Sequence, residues 1–198
     1  ILTPAKFEAG SDFQNGLAII LIGNKRGYLN EKGEIVIPAI YEDASVFVNG
    51  LAKVALNGKY GFINSAGKFI IPANYETAGD FSEGLAFIKQ NGKYGYISNT
   101  GKTVIPVQYT AANTFSEGLA SVQLEEKWGF IDPTGKTVIA FTYDMAHSFS
   151  KGEVFVMNGI NMYIIDKNNI RLREIENYEQ KKARKEREKK EKEKLMQK

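Results

Sequence analysis

One histidine, His147 in "MAHSFS", and no cysteine stand among the 198 residues. A metal centre of imidazole or thiolate ligands needs several such groups at fixed spacing. A serine nucleophile of the elbow type needs a motif such as G-x-S-x-G. The sequence holds neither. At the same step along the chain, His147 is matched by Ser45, Gly79 and Asn113, so the scaffold does not require an imidazole there. Paired carboxylates could cleave a glycosidic bond, and Glu42–Asp43 and Glu125–Glu126 are adjacent acids. Equivalent positions hold unlike residues, and both pairs read as solvated turn or link residues. The glycines form no phosphate cradle. These residues predict no catalysis, no cofactor and no metal. Aromatics offer a different chemistry, because an exposed ring is a platform for sugars or peptides. Tyr60, Tyr94 and Trp128 each precede a glycine and are the candidate ligand-binding residues.

Their spacing points to the elements behind them. "KRGYLN" (25–30), "KYGFIN" (59–64), "KYGYIS" (93–98) and "KWGFID" (127–132) recur every 34 residues. "GLA" begins at Gly16, Gly50, Gly84 and Gly118 and becomes "GEV" at 152. Pro4, Pro38, Pro72 and Pro106 keep the same step, as do Phe13, Phe47, Phe81, Phe115 and Phe149. A fixed period without insertions marks a repeat architecture and outranks any local reading.

Residues 51–84 serve as the type unit. "LAKVALN" alternates and is rich in strand formers. "NGK" follows, and Asn-Gly tolerates the two positive φ angles of a tight hairpin. "KYGFIN" is a second strand, "NSAGK" a turn and "KFIIP" a third strand closed by Pro72. Tyr75, Ala78 and Phe81, spaced by three, predict a partly 3₁₀-like link that tucks its aromatics inward. In the second strand Trp128 and Phe130 face one way, Gly129 and Ile131 the other. Both sets are apolar, so this strand is expected to be buried on both faces. Glycine inside a strand implies close approach, and a recurring aromatic of the Tyr75 or Phe81 type is the expected neighbour.

The pattern "GLA…V…GKWGFID..GK.VIP..Y..A..FSEG" resembles the bacterial WG repeat, whose namesake dipeptide is Trp128-Gly129. The resemblance covers residues 1–166. Three copies carry Tyr or Arg in place of Trp, and the fifth has lost the dipeptide to Met162-Tyr163. The resemblance implies a β-rich repeat in a binding or scaffold role, often in exported or envelope-associated bacterial proteins. It brings no catalytic residues.

The expected fold is therefore an all-β repeat protein: five 34-residue, three-stranded antiparallel meanders over residues 1–170. The amino end supplies a third strand, and the carboxyl end supplies the first two. An open, solenoid-like stack is the first expectation. A closed five-bladed, propeller-like ring completed by the two ends is the alternative. The fifth copy has drifted as terminal repeats do. Residues 171–198 are expected to form a capping turn and a charged helical tail, with Leu172, Ile175 and Tyr178 at helical spacing. The tail beyond Gln180 has almost no apolar face and reads as a solvated helix; an electrostatic contact with anionic lipid, wall polymer or RNA is the sharper possibility.

Lys and Arg number 12 in residues 171–198 against 7 Asp and Glu, whereas the remainder holds 14 against 16. The array thus offers no basic face for specific nucleic-acid binding. The longest apolar run, "LAIILI" (17–22), is far too short for a membrane helix. The chain opens at Ile1 in mid-repeat, and a preceding segment is expected. Without cysteine neither redox compartment is selected. The resemblance favours a bacterial periplasm, envelope or exterior, with the cytoplasm as alternative. Functionally, the sequence predicts a non-catalytic module that binds a protein partner. A carbohydrate- or wall-polymer-binding module using Tyr60, Tyr94 and Trp128 is the second expectation, and a hydrolase the third.

Overall fold

Alternation and turn chemistry produce five separate four-stranded antiparallel sheets in chain order. The computed structural model describes residues 7–176 and 178–196. The second sheet comprises a short strand Asp43–Ala44 and three long strands, Leu51–Leu56, Lys59–Asn64 and Phe69–Tyr75. The others repeat this order, and the fifth holds Met145–Ala146, Glu153–Asn158, Asn161–Asp166 and Arg171–Ile175. Among the described residues the core clusters join only sheets adjacent in chain order, and none joins the fifth sheet to the first, so the stack is open.

Three features differ from the expectation. The link is extended, and Thr77–Ala78 adds a short strand to the next unit. Its amides dictate this: Glu76 donates to the Lys89 carbonyl and Gly79 to that of Phe87, bonds a 3₁₀ turn would forgo. The inward tuck nevertheless holds, with Ala78 and Phe81 buried. Second, the stripe Leu172–Ile175 is a strand rather than a helical cap. It adds a fourth strand to the fifth sheet, so the array runs to Ile175. The third strand expected at that end lies in residues 1–6, outside the described residues. Third, Pro72 does not close its strand, which continues to Tyr75. As an edge strand with one neighbour, it tolerates a missing amide.

The core lies between the sheets. Ala52, Val54 and Ile63 pack with Tyr28, Ile37 and Tyr41 of the sheet before, whereas Phe62 and Ile71 pack with Ala86, Ile88 and Ile97 of the sheet after. The second long strand is therefore buried on both faces, as its apolar alternation predicts. Each seam holds a ring pair of the same kind. The link phenylalanine of one unit meets the second-strand aromatic of the unit before: Tyr28–Phe47 at 5.0 Å, Phe62–Phe81 at 4.7 Å, Tyr96–Phe115 at 4.9 Å and Phe130–Phe149 at 5.1 Å between centroids. Phe13 is 48% exposed, whereas Phe115 is 1% exposed.

The motif "FSEG" is a clasp between units. Its phenylalanine fills the seam. Ser82 Oγ donates to the Phe115 carbonyl, and Ser116 Oγ to that of Phe149, both at 2.8 Å. Glu83 and Glu117 hold positive φ, and their carboxylates accept the amides of Gly118 and Gly152 in the following unit, both at 2.9 Å. The left-handed backbone is strained for glutamate, and these bonds offset that strain.

Tyr178–Met196 is the single helix among the described residues. Arg184 bridges Glu176, just before the helix, and Glu188, four residues on, the spacing at which opposite charges support a solvated helix.

Candidate functional site

The repeat places one unusual residue on the surface of every sheet. In the second sheet Ile63 pairs with Phe69 and Phe62 with Ile71, so Ile70 is skipped by the ladder. A bulge of this type re-aims the extra side chain. Val36, Ile70, Val104, Val138 and Leu172 occupy this position in the five sheets and are 38–47% exposed. All five are aliphatic. Lys68, Lys102 and Lys136 stand two residues before the bulge in the three central units, and all are exposed. Sequence reasoning missed this row. The signal was present in "IVI", "FII" and "TVI": an alternating edge strand can hide only every second residue.

A second irregularity explains the strand glycine. Phe62 pairs with Ile71 and Tyr60 with Tyr75, so three residues, Pro72 to Asn74, bulge opposite Gly61 alone. A Cβ on Gly61 would lie 2.6 Å from both the Ile71 carbonyl oxygen and the Ala73 amide nitrogen. The same backbone approach occurs at Gly27, Gly95 and Gly129. The neighbour is thus the backbone of the edge strand, not the aromatic of the Tyr75 or Phe81 type expected. In the fifth sheet this bulge is absent, Tyr163 pairs directly with Glu174, and a side chain fits.

Tyr60, Tyr94 and Trp128 are half-buried, and each joins a different seam. Tyr60 packs against the cluster that holds Phe62 and Ile88, Tyr94 against that of Tyr96 and Phe115, and Trp128 against that of Phe130 and Phe149. Phe87 lies 6.0 Å from the Tyr94 ring, and the Lys89 ammonium 5.4 Å over it. Arg26 fills the same position in the first sheet and bonds Asp43 at 2.6 Å. The structure does not gather the three aromatics into one site; it spaces them one to a seam.

The remaining chemistry is structural. Glu42 is held by the Lys25 ammonium, which lowers its pKa below the usual carboxylate value. The Asp144 carboxyl is lowered by Lys127 and by the Gly159 amide. Glu125 and Glu126 form the hairpin tip of the fourth sheet at φ 49° and 73°. The His147 ring is exposed and lies 5.2 Å from that of Phe155. Burial raises the phenols of Tyr28 and Tyr96, whose hydroxyls donate to the carbonyls of Ser45 and Asn113 in the following unit. Among the described residues no cluster of His, Asp or Glu is placed to hold a metal ion. No helix among these residues is long and apolar enough to cross a membrane.

The profile of the family described as "WG containing repeat" matches residues 1–25, 27–60, 60–94, 94–128 and 128–159. No curated protein matches the chain. Among solved structures, Hsv2 of Kluyveromyces lactis is similar with a TM-score of 0.54 and 11% identity, over 81% of this chain and 60% of that one. Hsv2 of Kluyveromyces marxianus gives 0.55 and 11%, over 84% of this chain and 61% of that one. The chain thus spans about three-fifths of the length of these structures, and the likeness is one of fold.

Proposed function

The chain belongs to the WG-repeat family, and from that premise we propose that it is a non-catalytic interaction module that binds a protein partner along its row of bulge residues. The observation carrying this reading is the exposed aliphatic at the same skipped position of all five sheets, Val36, Ile70, Val104, Val138 and Leu172. The repeat keeps an exposed aliphatic at one position of every sheet, and a recurring exposed apolar series is a candidate binding surface. Pro38, Pro72 and Pro106 interrupt the edge strands beside the row, which blocks strand addition. Recognition therefore falls to side chains. Lys68, Lys102 and Lys136 favour a partner that carries carboxylates beside its apolar residues.

The compartment we propose is a bacterial periplasm, envelope or exterior, with the cytoplasm as the alternative; the family supports it. The test is a cross-linked pull-down from the native envelope fraction. The chain should recover a partner that the variant Ile70→Asp/Val104→Asp/Val138→Asp, equally stable by melting, loses. Identical recoveries by both would refute the surface.

A second reading is a carbohydrate or wall-polymer site at Tyr60, Tyr94 and Trp128. It rests on their half-exposed position in three consecutive sheets. Binding on a glycan array that vanishes in the triple alanine variant would support it.

A further inference from the structure

The seam between the fourth and fifth sheets opens into a cleft of about 440 Å³ lined by Thr142, Tyr143, Asn158, Asn161, Tyr163, Ile165, Asn169 and Arg171. Five of these depart from the repeat. Where the second unit has Leu56, Lys59, Gly61, Gly67 and Phe69, the fifth has Asn158, Asn161, Tyr163, Asn169 and Arg171. Five changes of the fifth copy thus meet at one cavity and replace one aliphatic, one cationic, two glycine and one aromatic position with amides, a phenol and a guanidinium.

The cleft has an electrostatic sign. The Arg171 guanidinium lies 3.6 Å over the Tyr163 ring, which fixes its plane. None of the eight lining residues is acidic. Glu174, opposite Tyr163 in the ladder, instead lines a separate groove with Glu176 and Arg184. Tyr143 donates its hydroxyl to Asn169 Oδ1, which leaves the Asn169 amide hydrogens for a ligand. Asn158 and Asn161 end the two strands of one hairpin and face each other across its register. Amides both donate and accept, the property that vicinal hydroxyls require. A planar guanidinium matches a carboxylate.

We propose that this cleft binds a sugar acid, a small ligand with a carboxylate for Arg171 and hydroxyls for Asn158, Asn161 and Asn169. The site is independent of the bulge row and of a protein partner there. Trp128, the only tryptophan, stands opposite Tyr143 in the ladder, so its emission reports on the cleft wall.

The test titrates the full chain with D-glucuronate, D-glucose and acetate, by calorimetry and by Trp128 fluorescence. Glucuronate should bind saturably and shift the emission, while glucose and acetate should each bind at least about tenfold more weakly, lacking one half of the recognition. Arg171→Gln should weaken glucuronate by about tenfold or more. Asn158→Leu restores the residue of the second and fourth units, should preserve folding, and should weaken binding as well. The proposal is overturned by absence of heat with all three compounds, by equal affinity for acetate and glucuronate, or by glucuronate binding unchanged in both variants while their melting curves match the parent chain.

Discussion

A Cβ built on Gly61 would stand 2.6 Å from the carbonyl oxygen of Ile71, inside the bulge of the neighbouring strand. The glycine of the repeated dipeptide and the bulge around Pro72 are therefore one feature. The fifth sheet supports this by losing both together, with Tyr163 and an unbulged ladder.

Gly61→Ala should lower stability by about 3 kcal/mol, the upper part of the range for an added methyl group in a packed site. The obstacle is backbone, which cannot swing aside. Tyr163→Gly should not gain what Gly61→Ala loses. Urea midpoints of the two variants check both statements, and a neutral Gly61→Ala would refute the bulge argument.

The hairpin tip of the fourth sheet invites improvement. Glu125 and Glu126 occupy left-handed backbone that Asn57-Gly58 and Asn91-Gly92 fill elsewhere. Glu125→Asn/Glu126→Gly should raise stability by about 1–2 kcal/mol by relieving strain at two positions. A thermal melt decides it.

Removing one hydroxyl of the clasp tests the coupling of units. Ser116→Ala deprives the Phe149 carbonyl of its 2.8 Å donor and should cost about 1 kcal/mol. Phe115→Ala empties the preceding seam, between the third and fourth sheets, and should cost about 3–5 kcal/mol. Hydrogen exchange should show the loss in both flanking sheets.

Stability should fall at both ends of the pH scale. Glu42, Asp132 and Asp144 have lowered pKa values, from the Lys25 ammonium, the Thr134 hydroxyl and the Lys127 ammonium respectively. Their folded carboxyls titrate below the unfolded values of 4.5 for Glu and 3.8 for Asp. Their contribution is present above those values and lost as pH falls through the folded ones. The buried phenols of Tyr28 and Tyr96 titrate above the ordinary 10.0. Their contribution is present below pH 10.0 and lost as pH rises through the folded values. Melting temperature against pH should be flat between these limits and drop on each side.

The period, the three long strands and the two-sided burial of Phe130 and Ile131 were legible because each leaves a pattern in side-chain type. The short strand Thr77–Ala78 was not, since two residues are too few for alternation and its pairing is set by carbonyls of the next unit. Leu172 and Ile175 misled because a bulged strand shifts its apolar phase by one residue, which imitates helical spacing. Tyr60, Tyr94 and Trp128 were visible as a series, but a series does not reveal how much of each ring a neighbouring unit covers. The Arg171 cleft left a trace only as departure from the template, and departure reads first as decay.

The clasps all lean one way. Ser82 and Glu83 reach into the unit that follows, as do Ser116 and Glu117, and the fifth unit carries Lys151 where those glutamates stand. The molecule has a grain, like a ratchet strip. Stretched between its ends, it should rupture from an outer sheet inward, because only the outer sheets are gripped on a single side. A force trace would then show even teeth, each releasing about 110–120 Å of chain, the contour of one 34-residue unit.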